Sequence, residues 1–341
     1  MTDLLKRGKG QFFTRGNPFV FTLFNDWINK ALDEKSDSIL LEPFAGSNSI
    51  IKLIRDAYPE LNNQWHCFDI DPESNEKNLT DITITIQDVL SDFPKSYRIA
   101  ITNPPYLAKN SATRRGISFP HDQYDDLYKY SLHVMLENVP YVAAIIPESF
   151  IVQGLFHSRL YGVISLKDKM FDDTECPVCL ALFIPENKKD ESTNFLIYSN
   201  DDYIGSYQEL KKYNSKPLKN HINMKFNDPN GEISVITIDG TKENSIKFLD
   251  GNAISPDKIK VSSRSFTKIS GFSGFTSLDI FSIIEESNNI LMERRYKTED
   301  VFMTAFKGLR KDGKYRRRLD FAQVRDIINI AVESLFPERF L

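Results

Sequence analysis

Ser38-Ile39-Leu40-Leu41-Glu42-Pro43-Phe44-Ala45-Gly46-Ser47-Asn48-Ser49-Ile50 is the stretch whose reading decides the fold. An apolar run enters a tight turn of small residues. Ile50, Ile51, Leu53, Ile54 and Ala57 then fall on one helical face. Strand, small-residue turn and helix in that order mark the place where doubly wound α/β folds bind ligands. Glu42, Pro43, Ala45 and Gly46 are therefore candidate contacts of a bound cofactor. Asn48 stands where the dinucleotide fingerprint carries its second glycine. Asparagine tolerates a left-handed backbone better than most residues, so the turn is expected to survive the exchange.

Further strand candidates follow at intervals suited to an α/β chain: residues 65–68, 82–86, 99–101, 141–146, 162–166 and 178–184. With the first they make seven. The second ends in Asp69-Ile70-Asp71-Pro72, and an acid about twenty residues beyond the first glycine turn is placed to accept from ribose hydroxyls. Asp69 takes that role with Ile70 beside it, whereas Asp71, directly before a proline, reads as a helix cap. The third strand leads to Gln87-Asp88.

The fourth runs into Asn103-Pro104-Pro105-Tyr106. Consecutive prolines hold the residues before them extended, which leaves a stiff platform with little conformational freedom to lose. The Asn103 side-chain oxygen and the Pro104 carbonyl can both accept from one NH2 group, and the Tyr106 ring can stack on a planar base. The expected substrate is an amino group on a flat ring. On this reading Tyr106 acts through its ring, so Tyr106→Phe is expected to retain much activity.

This pattern resembles the amino methyltransferases that use S-adenosylmethionine, in which Asn-Pro-Pro-Tyr ends the fourth strand. Upstream, Gly10-Gln11-Phe12-Phe13-Thr14 precedes Asn17-Pro18 and an amphipathic helix carrying Val20, Leu23, Phe24, Trp27, Ile28 and Ala31. That segment, the cofactor turn, Asn-Pro-Pro-Tyr and a following extra region stand in the order of the gamma-class DNA adenine N6-methyltransferases. The resemblance covers about residues 8–187. It implies a Rossmann-like seven-stranded methyltransferase sheet in an α/β fold, followed by a C-terminal α+β target-recognition domain. It further implies S-adenosyl-L-methionine as cofactor, with Phe13 and Thr14 closing over its methionine end and Asp88 accepting from its adenine amine. Phe171 would supply an aromatic to a flipped base. Double-stranded DNA is the implied partner, with a cognate restriction endonuclease acting on the same site. RNA-base or protein-glutamine methyltransferases share the motif, and a nucleic-acid-binding subunit with a degenerate core is a third reading.

A chain of 341 residues exceeds what one core usually serves. The polar stretch 186–194 places the boundary between domains 1–187 and 188–341. Beyond it, residues 307–318 carry seven basic side chains against one acid, a density that fits phosphate contacts by Arg316, Arg317 and Arg318. Lys109, Arg114 and Arg115 fall in the long loop after Tyr106, where substrate must enter. The net charge of -4 is compatible with this, because phosphate binding depends on where charge lies. No apolar run is long enough to span a bilayer and no signal peptide is visible, so a cytoplasmic location is expected. Three cysteines argue against a disulfide framework, and Cys176-Pro177-Val178-Cys179, without a second such pair, is not expected to hold a metal.

Overall fold

The computed structural model describes residues 17–33, 38–121, 123–167, 169–170, 176–186, 194–214, 222–260 and 264–339. Phe13, Thr14 and Phe171 lie outside them. The chain divides into two compact units, Met1–Tyr207 and Gln208–Leu341.

The first unit is built on β1 (Leu40–Glu42), β2 (Trp65–Asp69), β3 (Ile84–Ile86), β4 (Ile99–Thr102), β5 (Tyr141–Pro147), β6 (Leu160–Leu166), β7 (Val178–Phe183), β8 (Leu196–Ser199) and β9 (Asp202–Ser206). They form one sheet in the order β3-β2-β1-β4-β5-β7-β6-β8-β9. The first five are parallel and ordered as in the Rossmann fold. β7 then enters antiparallel between β5 and β6. Residues 99–102, 141–146 and 178–183 are buried without interruption, as expected of central strands covered on both faces.

Helix α1 (Thr22–Asp33) buries Leu23, Phe24, Trp27, Ile28 and Ala31, and Trp27 Nε1 donates to the Phe183 carbonyl at 2.9 Å. Val20, expected on that face, instead ends a short 3-10 turn capped by Asn17 and is exposed. The helix sits close on the sheet at Gly162, where a Cβ would stand 2.9 Å from Leu23 Cδ2. Helices α2 (Ser49–Ala57), α3 (Lys109–Arg114) and α4 (Leu127–Asn138) complete the unit's longer helices.

The boundary after residue 187 is corrected. β8 pairs parallel with β6, and β9 pairs with β8, so the first sheet continues through Ser206 and the division falls after Tyr207. The boundary expected in the polar stretch 186–194 therefore falls inside the first unit.

The second unit is α+β. β10 (Lys225–Phe226), β11 (Ile233–Ile236), β12 (Lys247–Asp250) and β13 (Phe266–Ser270) form an antiparallel sheet in the order β10-β13-β11-β12. β14 (Thr304–Leu309) and β15 (Tyr315–Arg318) make a hairpin, and α5 (Ser277–Thr298) and α6 (Phe321–Leu335) pack together over a core that includes Ile233, Ile269, Leu291 and Ile327. Both helices open with a complete capping box, Thr276 with Asp279 and Asp320 with Gln323.

Candidate active site

A cleft of about 820 Å³ opens at the C-terminal ends of β1 to β4, where the strand order reverses between β1 and β4. Four strand ends supply its walls: Pro43 to Ser47 after β1, Asp69 to Asp71 at β2, Gln87 to Ser91 after β3, and Asn103 with Pro105 after β4.

The turn after β1 explains the unusual asparagine. Gly46 has φ +54° and Asn48 has φ +57°, so both residues are left-handed. Asn48 is fully buried, and its Nδ2 shares two protons among Asn78 Oδ1 (3.1 Å), Thr80 Oγ1 (3.1 Å) and the Ile82 carbonyl (3.2 Å). A glycine would supply the backbone geometry but none of these bonds. Asn48 therefore ties the turn to the segment between β2 and β3.

Asp69 is 6 % exposed and accepts from the Gly46 amide and the Asp71 amide, each at 2.7 Å. Those donors orient a carboxylate that lines the cleft. Asp71 Oδ1 accepts from the Glu73 amide at 3.2 Å in a local turn, but the short 3-10 helix that follows runs Ser74–Lys77 with Glu73 in the cap position, so Asp71 stands two residues ahead of the place expected of its cap. Ile70 projects outward at 64 % exposure beside them. Asp88 is exposed; its oxygens accept from the Leu90 amide (3.1 Å) and the Ser91 hydroxyl (2.7 Å).

Glu42 lies apart from the described cleft wall. It is buried and accepts from Thr102 Oγ1 at 2.5 Å and from the Phe44 amide at 3.0 Å, joining the turn after β1 to the end of β4. Burial pushes its pKa up to about 8 against the pull of those two hydrogen bonds. At neutral pH the group is protonated.

At the end of β4, Asn103 and Pro105 line the cleft, whereas Pro104 is buried and Tyr106 is not among the described lining residues. The Tyr106 ring packs against the core and meets Tyr128 edge-on at 6.2 Å, with its hydroxyl 2.6 Å from the Ile145 carbonyl and 2.7 Å from Asn103 Oδ1. Burial holds its pKa well above the usual phenol range.

The segment after Tyr106 is clamped at its base. Leu107 donates to Asp126 Oδ1 (3.1 Å), Leu127 to the Leu107 carbonyl (3.0 Å) and Lys109 to the Asp125 carbonyl (2.8 Å). Ile117, Ser118 and Pro120 then join Leu127 and Tyr130 of α4 as a further wall. Ile117, Ser118 and Pro120 are not legible in the sequence, because a connection carries no periodicity that tells which of its side chains turn inward. Lys109, Arg114 and Arg115 lie on or just after α3, outside the described cleft wall, with both arginines exposed.

The basic segment is corrected in part. Arg317 is 3 % exposed and so turned away from any phosphate. Arg316 is half-buried, lying 4.9 Å over the Phe306 ring while its Nε donates to the Asp239 carbonyl at 2.8 Å; Arg318 is half-buried too. The exposed cations of this hairpin are Lys307, Lys311 and Lys314.

The cleft wall fits an S-adenosylmethionine-sized ligand. No atom stands within 4 Å of a Cβ built on Gly46, and the buried Ser47 Oγ beside it has no hydrogen-bond partner. Acceptor carboxylates at Asp69 and Asp88 suit hydroxyl and amine donors, and Ile70, Val89 and Leu90 offer apolar surface to a flat ring. Among the described residues no group of three or more His, Cys, Asp or Glu could hold a metal, and no helix is long and apolar enough to cross a membrane. Cys179 is buried in β7 while Cys176 is exposed.

No protein-family model matches the chain. No curated protein matches it either. Among solved structures the chain is similar to a Listeria monocytogenes protein classed with the class I S-adenosylmethionine-dependent methyltransferases, at 12 % identity and a TM-score of 0.42, over 55 % of this chain and 66 % of that one. It is also similar to the methyltransferase subunit of a type I restriction-modification system from Streptococcus thermophilus, at 13 % identity and a TM-score of 0.40, over 85 % and 61 %. A third is the type IIG restriction endonuclease BpuSI, at 15 % identity and a TM-score of 0.40, over 58 % and 29 %. The chain spans less than two thirds of the length of each.

Proposed function

We propose that the protein is an S-adenosylmethionine-dependent DNA adenine N6-methyltransferase. The observation that carries this reading is the meeting, in one cleft, of the Gly46 turn, Asp69 and Asp88 with Asn103 of Asn-Pro-Pro-Tyr. When bound, the cofactor supplies a methyl group on a positively charged sulfur. Asp69 would accept from its ribose and Asp88 from its adenine amine, with Ile70 offering apolar surface to the ring.

The chain's own residues then act on the substrate. A target adenine inside a duplex is out of reach, so it rotates out of the stack to bring its amine to Asn103. The Asn103 oxygen and the Pro104 carbonyl accept from the two amine protons, which draws the nitrogen lone pair out of conjugation and aligns it for attack. The same acceptors stabilise the positive charge that develops on nitrogen. The proton is lost through them to water. Glu42, held by Thr102 and the Phe44 amide, keeps the strand ends bearing the two halves of the site in register.

In this reading the second unit recognises the target, with Lys307, Lys311 and Lys314 on phosphates, and the chain is the modification enzyme of a restriction-modification pair. The test is to incubate the purified chain and cofactor with a plasmid library and sequence the modified bases. N6-methyladenine at a fixed sequence is expected, and Asn103→Ala should lower single-turnover transfer on the order of a hundredfold or more with cofactor affinity intact. Methylation confined to RNA or to protein would overturn the DNA assignment.

A further inference from the structure

Among the described residues of the second unit five large hydrophobic side chains are exposed, and four of them stand on α5: Leu278 (73 %), Phe281 (59 %), Met292 (63 %) and Tyr296 (81 %). Single exposed apolar residues are ordinary, whereas four on one helix face ask for a partner. At about 3.6 residues per turn Leu278, Phe281, Glu285, Asn289, Met292 and Tyr296 fall on one stripe along the helix, and Glu285 and Asn289 are exposed as well. The opposite face is occupied. Ile283, Ile284, Ser287 and Leu291 are buried there, and beside them Asn288 exchanges two hydrogen bonds with the Phe248 backbone, at 2.9 and 3.0 Å, which fastens the helix to β12. The stripe is therefore held in place and turned outward.

Its order reads nearly the same from both ends. Counted from Ser287, Leu278 and Tyr296 lie nine residues away on either side, Phe281 six before and Met292 five after, and Glu285 and Asn289 two away. We propose that α5 is the interface of a two-fold dimer, in which two copies of this chain pair their α5 helices antiparallel with the Ser287 positions level. Leu278 then meets the partner's Tyr296, Phe281 the partner's Met292 and Asn289 the partner's Glu285, and each contact is made twice, as two-fold symmetry requires. Every apolar side chain of the stripe is covered by another, a thioether lies against an aromatic ring, and an amide donates to a carboxylate. The helix of a different protein has no reason to match an order that is its own reverse. Charge selects the direction. A parallel pair would set Glu285 against Glu285 and bring the basic last turns, with Lys297, side by side; the antiparallel pair brings that basic turn to the acidic first turn, with Asp279, and opposes the two helix dipoles. Covering the four apolar side chains of both copies removes roughly 1,000 Å² from water, the lower edge of specific interfaces, so self-association with a dissociation constant on the order of micromolar is expected.

Sedimentation equilibrium of the full chain from about 1 to 100 μM tests the pairing. The mean mass should rise with concentration from that of one chain towards that of two. Leu278→Lys and Tyr296→Glu each set a lone charge against an apolar side chain at the ends of the stripe, and each should weaken self-association about tenfold or more. Both positions are exposed in the single chain, so circular dichroism should show the fold intact. Mixing the two variants brings the introduced ammonium of one against the introduced carboxylate of the other at one end and leaves Leu278 on Tyr296 at the other, so association should return in the mixture. A parallel pair never brings positions 278 and 296 together and gives no such recovery. A native chain that stays monomeric at about 100 μM would overturn the dimer and leave the stripe to a different partner. Undiminished association of both single variants would move the interface off α5, and a mixture without recovery would overturn the antiparallel register. Self-association needs no turnover, so these outcomes are independent of the proposed function.

Discussion

The cleft of the first unit and the charged interior of the second handle ionic groups in opposite ways. Asp69 and Asp88 are oriented by backbone amides and a serine hydroxyl, and among the described residues no cation pairs with either. In the second unit Arg294 meets Asp326 at 2.7 Å, and Arg295 reaches both Asp239 (2.9 Å) and Asp300 (2.7 Å). Neutral donors aim a charge while leaving it uncompensated; a counter-ion consumes it. The first arrangement suits a surface waiting for hydroxyl and amine donors, and the second holds a fold in register. Cations crowded in sequence can belong to either kind, and only their partners tell which.

The largest expected effect tests the second kind. Arg294→Ala leaves Asp326 buried without its partner, a change that costs about 3–5 kcal/mol. Hydrogen exchange should accelerate across Phe321–Leu335 while β4 and β5 keep their protection. Unchanged protection in α6 would show the pair to be incidental. Next, Asp69→Ala should weaken S-adenosylmethionine binding roughly ten- to a hundredfold by calorimetry, since a charge-assisted hydrogen bond is worth about 1.5–3 kcal/mol. If affinity falls for Asp71→Ala instead, the ribose contact lies two residues along.

The three exposed lysines of the β14–β15 hairpin provide a subtler contrast. Changing Lys307, Lys311 and Lys314 together to Gln should reduce the slope of log DNA affinity against log salt by about 0.9 for each phosphate no longer neutralised, about 2.7 in all. Arg317→Gln, buried as it is, should leave the slope alone. A reversal of those two outcomes would return the phosphate role to the arginines.

The smallest effect concerns Glu42. Its pKa is raised in the folded chain from 4.5 to about 8, so the native state binds the proton more tightly than the unfolded state does. Its contribution to stability is therefore complete below about pH 4.5 and is lost progressively as pH rises towards 8. Glu42→Gln removes that dependence. Its melting temperature should gain on the native chain across this window, and parallel curves would mean that the carboxyl is solvated after all.

How much of this was legible follows from which residues carry a period. All seven expected strands are present, β4, β5 and β7 nearly to the residue, because central strands buried on both faces leave continuous apolar runs. β8 and β9 escaped notice: both are short, and Asp202–Ser206 is half exposed at the sheet edge. At the site, residues on strand ends stand where the order of motifs put them, since a strand fixes the direction in which its last side chain leaves. The arginines of β15 have no such guide. Their inward or outward turn depends on register with β14, which shifts between Ala305 and Leu309. The ring of Tyr106 is foreseeable from its motif, but the partners of its hydroxyl emerge only once β5 lies beside β4.

Asn48 gives the turn after β1 a thermodynamic character of its own. A glycine there would sample many conformations and be quieted only when a ligand arrived, with the lost entropy subtracted from the affinity. Asn48 is already held in its left-handed conformation by three acceptors between residues 78 and 82, so the ordering is done during folding. Ligand binding at this turn should accordingly carry a smaller unfavourable entropy than in an Asn48→Gly variant, even where the two bind with similar heat.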